Sequence, residues 1–97
     1  VNRVEFRPAA VADIEEAAVW YERQQSGLGE GFLAAVSDAL VLITANPQLG
    51  PAIHRETHRV LLRRFPYGLY YRVLDGRILV VACMHARRDP QRWRSRG

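Results

Sequence analysis

The chain has 97 residues, 48% of them hydrophobic and 25% charged, with a formal net charge of +4. That length supports one small domain over residues 1–97 with a single core, and the composition excludes a disordered, charge-dense tail. No uninterrupted run of eighteen apolar residues spans a bilayer and no basic-then-apolar start marks a signal peptide, so a cytoplasmic location without membrane contact is expected.

In chain order, Val1 to Phe6 (VNRVEF) alternates loosely and carries β-branched residues, which predicts a short first strand. Pro8 suits a first helical turn, and Val11, Ile14, Ala17, Ala18 and Tyr21 fall on one face of a helix from Pro8 to about Gln25. Asp13, Glu15, Glu16 and Glu22 are expected on its solvent face, and Trp20 on the flank of its apolar stripe. Ser26-Gly27 supplies the break, and Phe32, Val36, Ala39, Leu40 and Ile43 form a second stripe from Leu28 to Ala45. Asn46-Pro47 and Gly50-Pro51 end this helical hairpin.

Three strands are expected beyond residue 53. They are His58 to Phe65, Tyr67 to Leu74, and Arg77 to about Ala86, the last two joined by an Asp75-Gly76 hairpin turn. Strict alternation along the last strand would place Ile78, Val80, Ala82 and Met84 on one face and Leu79, Val81 and Cys83 on the other. Both faces are apolar, yet the helices can cover only one. The other face therefore needs the tail, a second copy or a partner chain. Cys83 has no second cysteine to pair with and reads as a small buried hydrophobe.

All fourteen basic residues are arginine, and their distribution is uneven. Residues 1–53 hold three arginines against seven acids, a charge of −4, whereas residues 54–97 hold eleven against three, a charge of +8. A basic sheet and tail of this kind attracts nucleic acid or an acidic protein surface. Arg59 and Arg63 are expected on one face of their strand with Arg64 on the other, while Arg87, Arg88, Arg92, Arg94 and Arg96 follow the last strand. Guanidinium groups bind phosphate, carboxylate and aromatic partners but remain protonated, so they cannot serve as bases near neutral pH. Proton transfer would fall to a histidine: His54 and His58 read as ordinary surface residues, and His85 ends the last strand beside Arg87-Arg88. Trp93 either stacks on a ligand or folds back onto the core.

Four segments carry a resemblance: Tyr21 to Phe32 (YERQQSGLGEGF), Asn46-Pro47 with Gly50, Arg63 to Val73 (RRFPYGLYYRV) and His85 to Trp93 (HARRDPQRW). Together they resemble the RelE/ParE toxin superfamily of type II toxin–antitoxin systems, and within it the ParE-like, plasmid-stabilisation branch. The resemblance implies an α+β fold with a short N-terminal strand, a helical hairpin and three antiparallel strands in a twisted sheet, the helices packed on one face. It implies a cognate antitoxin whose C-terminal segment wraps the toxin as a hetero-oligomer, and no cofactor or metal. ParE-like members inhibit DNA gyrase by binding, whereas RelE-like members cut messenger RNA on the ribosome. A ribonuclease of this superfamily carries an arginine after the tyrosine of the middle strand and a tyrosine or histidine near the C-terminus; here Gly68 follows Tyr67, and the tail after Arg92 contains neither. The expected target-binding set is Arg59, Arg63, Arg64, Tyr67, Arg72, His85, Arg87, Arg88 and Trp93, with His85 the base if the chain is a ribonuclease. The expected antitoxin-binding set is Trp20, Val60, Leu62 and Tyr71.

Overall fold

The computed structural model describes residues 3–88 and 93–95. Its elements are β1 (Arg3–Phe6), α1 (Pro8–Gln24), α2 (Leu28–Ala45), β2 (Ala52–His54), β3 (Thr57–Leu61), β4 (Tyr67–Leu74) and β5 (Arg77–His85). They form one sheet in the order β1-β5-β4-β3-β2, in which β1 runs parallel to β5 and the other neighbours are antiparallel. The expected α+β class holds, with one strand more than expected: the short β2 adds to the edge of β3. Arg92 and Arg96 of the basic tail lie outside the described residues.

Pro8 opens α1 at a position whose N–H would have no helical partner. The turn into α2 is held by Glu22, whose carboxylate accepts from the N–H of Gly27 (3.1 Å) and of Gly29 (2.9 Å). Those donors belong to the start of α2, where helix N–H groups lack partners and negative charge is favoured. Gly27 adopts φ +93, a region that favours glycine. Gly29 lets the helices meet closely, because a Cβ there would stand 2.8 Å from the Ala18 carbonyl oxygen.

The helices bury Ala10, Ala17, Phe32, Val36, Ala39 and Ile43 against Leu69, Tyr71, Ile78 and Val80 of the sheet. By length and composition alone α2 is apolar enough to cross a membrane, with a mean hydropathy of 1.6 over 18 residues, yet its Phe32–Ile43 stripe belongs to this core. Asp13 lies on the buried side of α1 rather than the solvent side, and its Oδ2 accepts from the backbone N–H of Cys83 at 3.0 Å. Its spacing of three from Ala10 and four from Ala17 explains the placement, since those intervals share one helix face.

Two expectations about the strands are corrected. The pairing of Tyr71 with Val80 and of Tyr70 with Ala82 leaves Val81 as an extra residue, so β5 bulges there and its alternation changes phase. Cys83 therefore joins Ile78 and Val80 in the helix-facing core, and Ala82 and Met84 join Val81 and Leu79 on the opposite face. β3 stops at Leu61, four residues before the expected Phe65, and Arg63 and Arg64 occupy a bend that includes a positive φ of 68 at Arg64. Arg59 and Arg63 consequently do not share a strand face.

The second face of the sheet is covered by the chain's own tail. Trp93 stacks on Tyr70, with ring centroids 5.0 Å apart and planes at 19°, and is packed with Val81, Ala82 and Met84.

Candidate functional site

The pairing of β4 with β5 gathers the basic residues at one end of the sheet. Tyr67 opposes His85, the Leu62 N–H donates to the Tyr67 carbonyl (2.9 Å), and the Ala86 N–H donates to the Pro66 carbonyl (2.9 Å). These bonds tie the bend carrying Arg63 and Arg64 to the segment carrying Arg87 and Arg88. All four arginines are exposed, and among the described residues none of them forms an ion pair. With no ion pair among the described residues, their charge is available to a partner.

His85 stands beside Arg87 and Arg88. Burial lowers its pKa first, and the Arg88 and Arg87 guanidinium groups lower it further, so this setting favours the neutral ring. Its Nδ1 accepts from the Arg87 backbone N–H at 3.2 Å, which places the ring proton of the neutral form on Nε2. In that tautomer Nε2 can donate a hydrogen bond but has no free lone pair with which to abstract a proton.

Beside this end, α1 and the β4–β5 terminus enclose an open cleft of about 530 Å³ lined by Asp13, Glu16, Trp20, Tyr21, Tyr67, His85 and Arg88, among others. The Tyr21 and Tyr67 phenols are pushed above their usual range by burial, with Arg88 opposing the shift in both. The guanidinium of Arg88 therefore acts on both rings. Asp13, Glu16 and Tyr21 were not among the expected site residues; the helical spacing of Asp13, Glu16 and Trp20 was the available sign.

The remaining expected target contacts divide. Arg72 sits toward the other end of β4, five residues along the strand from Tyr67, and pairs with Glu56 at 3.4 Å. It does not belong with the unpaired group. Arg59 is half-buried, and its aliphatic stem lies 3.0 Å from where a Gly68 Cβ would be, so the stem occupies the space that a side chain at 68 would need. The Tyr70 hydroxyl beneath is buried without a hydrogen bond of good geometry. Burial raises its pKa, and the nearby Arg59 guanidinium partly offsets the rise. Trp93 is only 5% exposed; as placed it closes the second face and presents no contact surface, because its ring is stacked on Tyr70.

Among the expected antitoxin contacts, Trp20 is 55% exposed and Val60 is partly buried against the core. Leu62 and Tyr71 are core residues, at 5% and 0% exposure. The Tyr71 hydroxyl donates to the Pro47 carbonyl (2.9 Å) and accepts from the Gly50 N–H (3.1 Å), and its ring stacks on His58, whose Nδ1 meets the Gly50 carbonyl at 2.7 Å. This network fastens the Asn46–Gly50 loop to the sheet. Gly50 is required in it, since a Cβ would stand 2.4 Å from the Arg59 carbonyl oxygen. His54 meets Trp93 edge-on at 5.8 Å. Among the described residues no cluster of three or more His, Cys, Asp or Glu side chains could hold a metal ion.

The geometry can be set beside known proteins. No curated protein matches the chain. The solved structure of the chromosomal ParDE toxin–antitoxin system from P. aeruginosa is similar at TM-score 0.65 and 19% identity, covering 87% of this chain and 95% of that one. The isolated E. coli RelE toxin is similar at TM-score 0.58 and 18% identity, covering 98% of this chain and 95% of that one. At such identities the likeness is one of fold. The family model described as the ParE toxin of type II toxin–antitoxin system, parDE, matches residues 4–90, and the chain belongs to that family.

Proposed function

We propose that this ParE-family toxin inhibits DNA gyrase by binding it through the arginine-bearing end of the sheet, and that a cognate antitoxin neutralises it in the cytoplasm. The observation that carries this reading is the placement of Arg63, Arg64, Arg87 and Arg88, exposed and without ion pairs among the described residues, on two segments tied to one end of the sheet, with His85 beside Arg87 and Arg88. Such a surface grips anions and hydrogen-bond acceptors on a large partner. Two features weigh against RNA cutting through the 2′-hydroxyl: the Nδ1 hydrogen bond of His85, which disfavours Nε2 as a base, and the Arg59 stem in the space beside Gly68.

The reading extends to the partner side. Trp20 stays in the antitoxin-contact set with Val60, and Tyr67 and His85 stay in the target-contact set with the four arginines. Supercoiling by purified gyrase should fall as the toxin is titrated in, while messages translated in a purified ribosomal system remain intact. Cleavage of those messages with gyrase unaffected would replace this reading with a ribosome-dependent endoribonuclease.

A further inference from the structure

The cleft beside the arginine end has two unlike walls. On the α1 side, Asp13, Glu16 and Trp20 recur at intervals of three and four and line the same hollow. Trp20 is 55% exposed, so more than half of its surface is unused by the core. Its ring meets Tyr21 edge-on at 5.0 Å and 87°, and Tyr21 meets Tyr67 at 6.0 Å and 67°. Three rings set at steep angles therefore surround a hollow that also holds two carboxylates. Asp13 is engaged with the Cys83 N–H, whereas Glu16 is exposed and forms no ion pair among the described residues.

The chemistry of that wall selects a cation. A guanidinium or ammonium group gains both the carboxylate and the negative face of an aromatic ring, an anion would be repelled by both acids, and a neutral apolar group would leave Glu16 unpaired as it closed the cleft. Arg88 on the sheet side repels a second cation, so the favoured position is against α1. The cleft volume of about 530 Å³ and its open mouth suit a side chain entering with its backbone outside rather than a small molecule enclosed on all sides.

We propose that this cleft receives an arginine or lysine side chain from a polypeptide partner, held between the Glu16 carboxylate and the Trp20 ring. The proposal rests on the toxin reading only in placing Trp20 on a partner-binding surface. Its test uses the free chain without gyrase or antitoxin, so the two ideas fail separately.

The chain has two tryptophans, Trp20 in the cleft and Trp93 buried against Tyr70, so its two indole N–H resonances supply a probe and an internal control. Titration with the peptide acetyl-Ala-Ala-Arg-Ala-Ala-amide should shift the Trp20 resonance saturably, with a midpoint of about 10 mM, and leave that of Trp93 in place. The same peptide with citrulline for arginine, which keeps the shape and removes the charge, should give no saturable shift. Glu16→Gln should raise the arginine midpoint at least about threefold, and Glu15→Gln, outside the cleft, should leave it unchanged. Equal titration by the citrulline peptide, an unchanged midpoint in Glu16→Gln, or no saturable Trp20 shift would each overturn the proposal.

Discussion

The two ends of the sheet use the same side chain in opposite ways. At the end where β5 begins, Arg77 pairs with Glu5 (2.8 Å), Arg3 shares that carboxylate (3.3 Å), and Arg72 on β4 pairs with Glu56. At the end where β5 finishes, Arg63, Arg64, Arg87 and Arg88 have no such partners among the described residues. Arginine content alone therefore does not mark a binding surface. What distinguishes the ends is whether the fold brings a carboxylate alongside, and a guanidinium already paired offers less to an incoming ligand.

That contrast can be broken most decisively by stripping the unpaired end. Replacing Arg63, Arg64, Arg87 and Arg88 by alanine should weaken target binding about 1000-fold, measured by titration calorimetry, while the melting temperature moves by no more than about 3 °C. Retained binding would place the active surface elsewhere. The next largest effects fall on residues expected at a surface but found in the interior. Leu62→Ala should cost about 3 kcal/mol of stability in urea unfolding, and Tyr71→Phe about 1–2 kcal/mol because the Pro47 carbonyl and Gly50 N–H lose their shared hydroxyl. Unchanged stability with lost antitoxin binding would return both to a contact role.

A finer cut separates function from strain at the open end. Arg64 holds φ +68, a conformation that glycine adopts without a Cβ penalty. Arg64→Gly should raise stability by up to about 1 kcal/mol and weaken target binding about tenfold; loss of both would show that the side chain is structural. The smallest effect belongs to the paired end. Arg3→Ala with Arg77→Ala should change target binding by less than about twofold and stability by under about 1 kcal/mol, since exposed ion pairs contribute little. A larger loss of binding would extend the contact surface along the whole sheet.

Much of the architecture was legible because hydrophobic periodicity reports local geometry. The helical stripes of α1 and α2, the Asp75-Gly76 turn and the span of β4 all follow from neighbours close in sequence. The errors have local causes as well. Arg63-Arg64 continues an alternating pattern, and nothing short of the left-handed backbone at Arg64 reveals that the strand has already ended. Asp13 looked like a solvent residue because it is charged, although its spacing from Ala10 and Ala17 placed it inside. The bulge at Val81 is a property of strand pairing, so no reading of β5 alone could find the phase change.

By itself the sequence determined the order of elements, the surplus of guanidinium groups in the second half, and the family-like phrases, since these depend on residue type and spacing. Only the tertiary structure decided which arginines meet carboxylates, that Trp93 closes the second face, and that α1 turns Asp13, Glu16 and Trp20 toward one cleft. Those outcomes depend on strand pairing and helix packing between residues far apart in the chain, as with Glu5 and Arg77, seventy-two positions apart. Interactions at that range follow from the strand order and register of the sheet, which no short window of the chain contains.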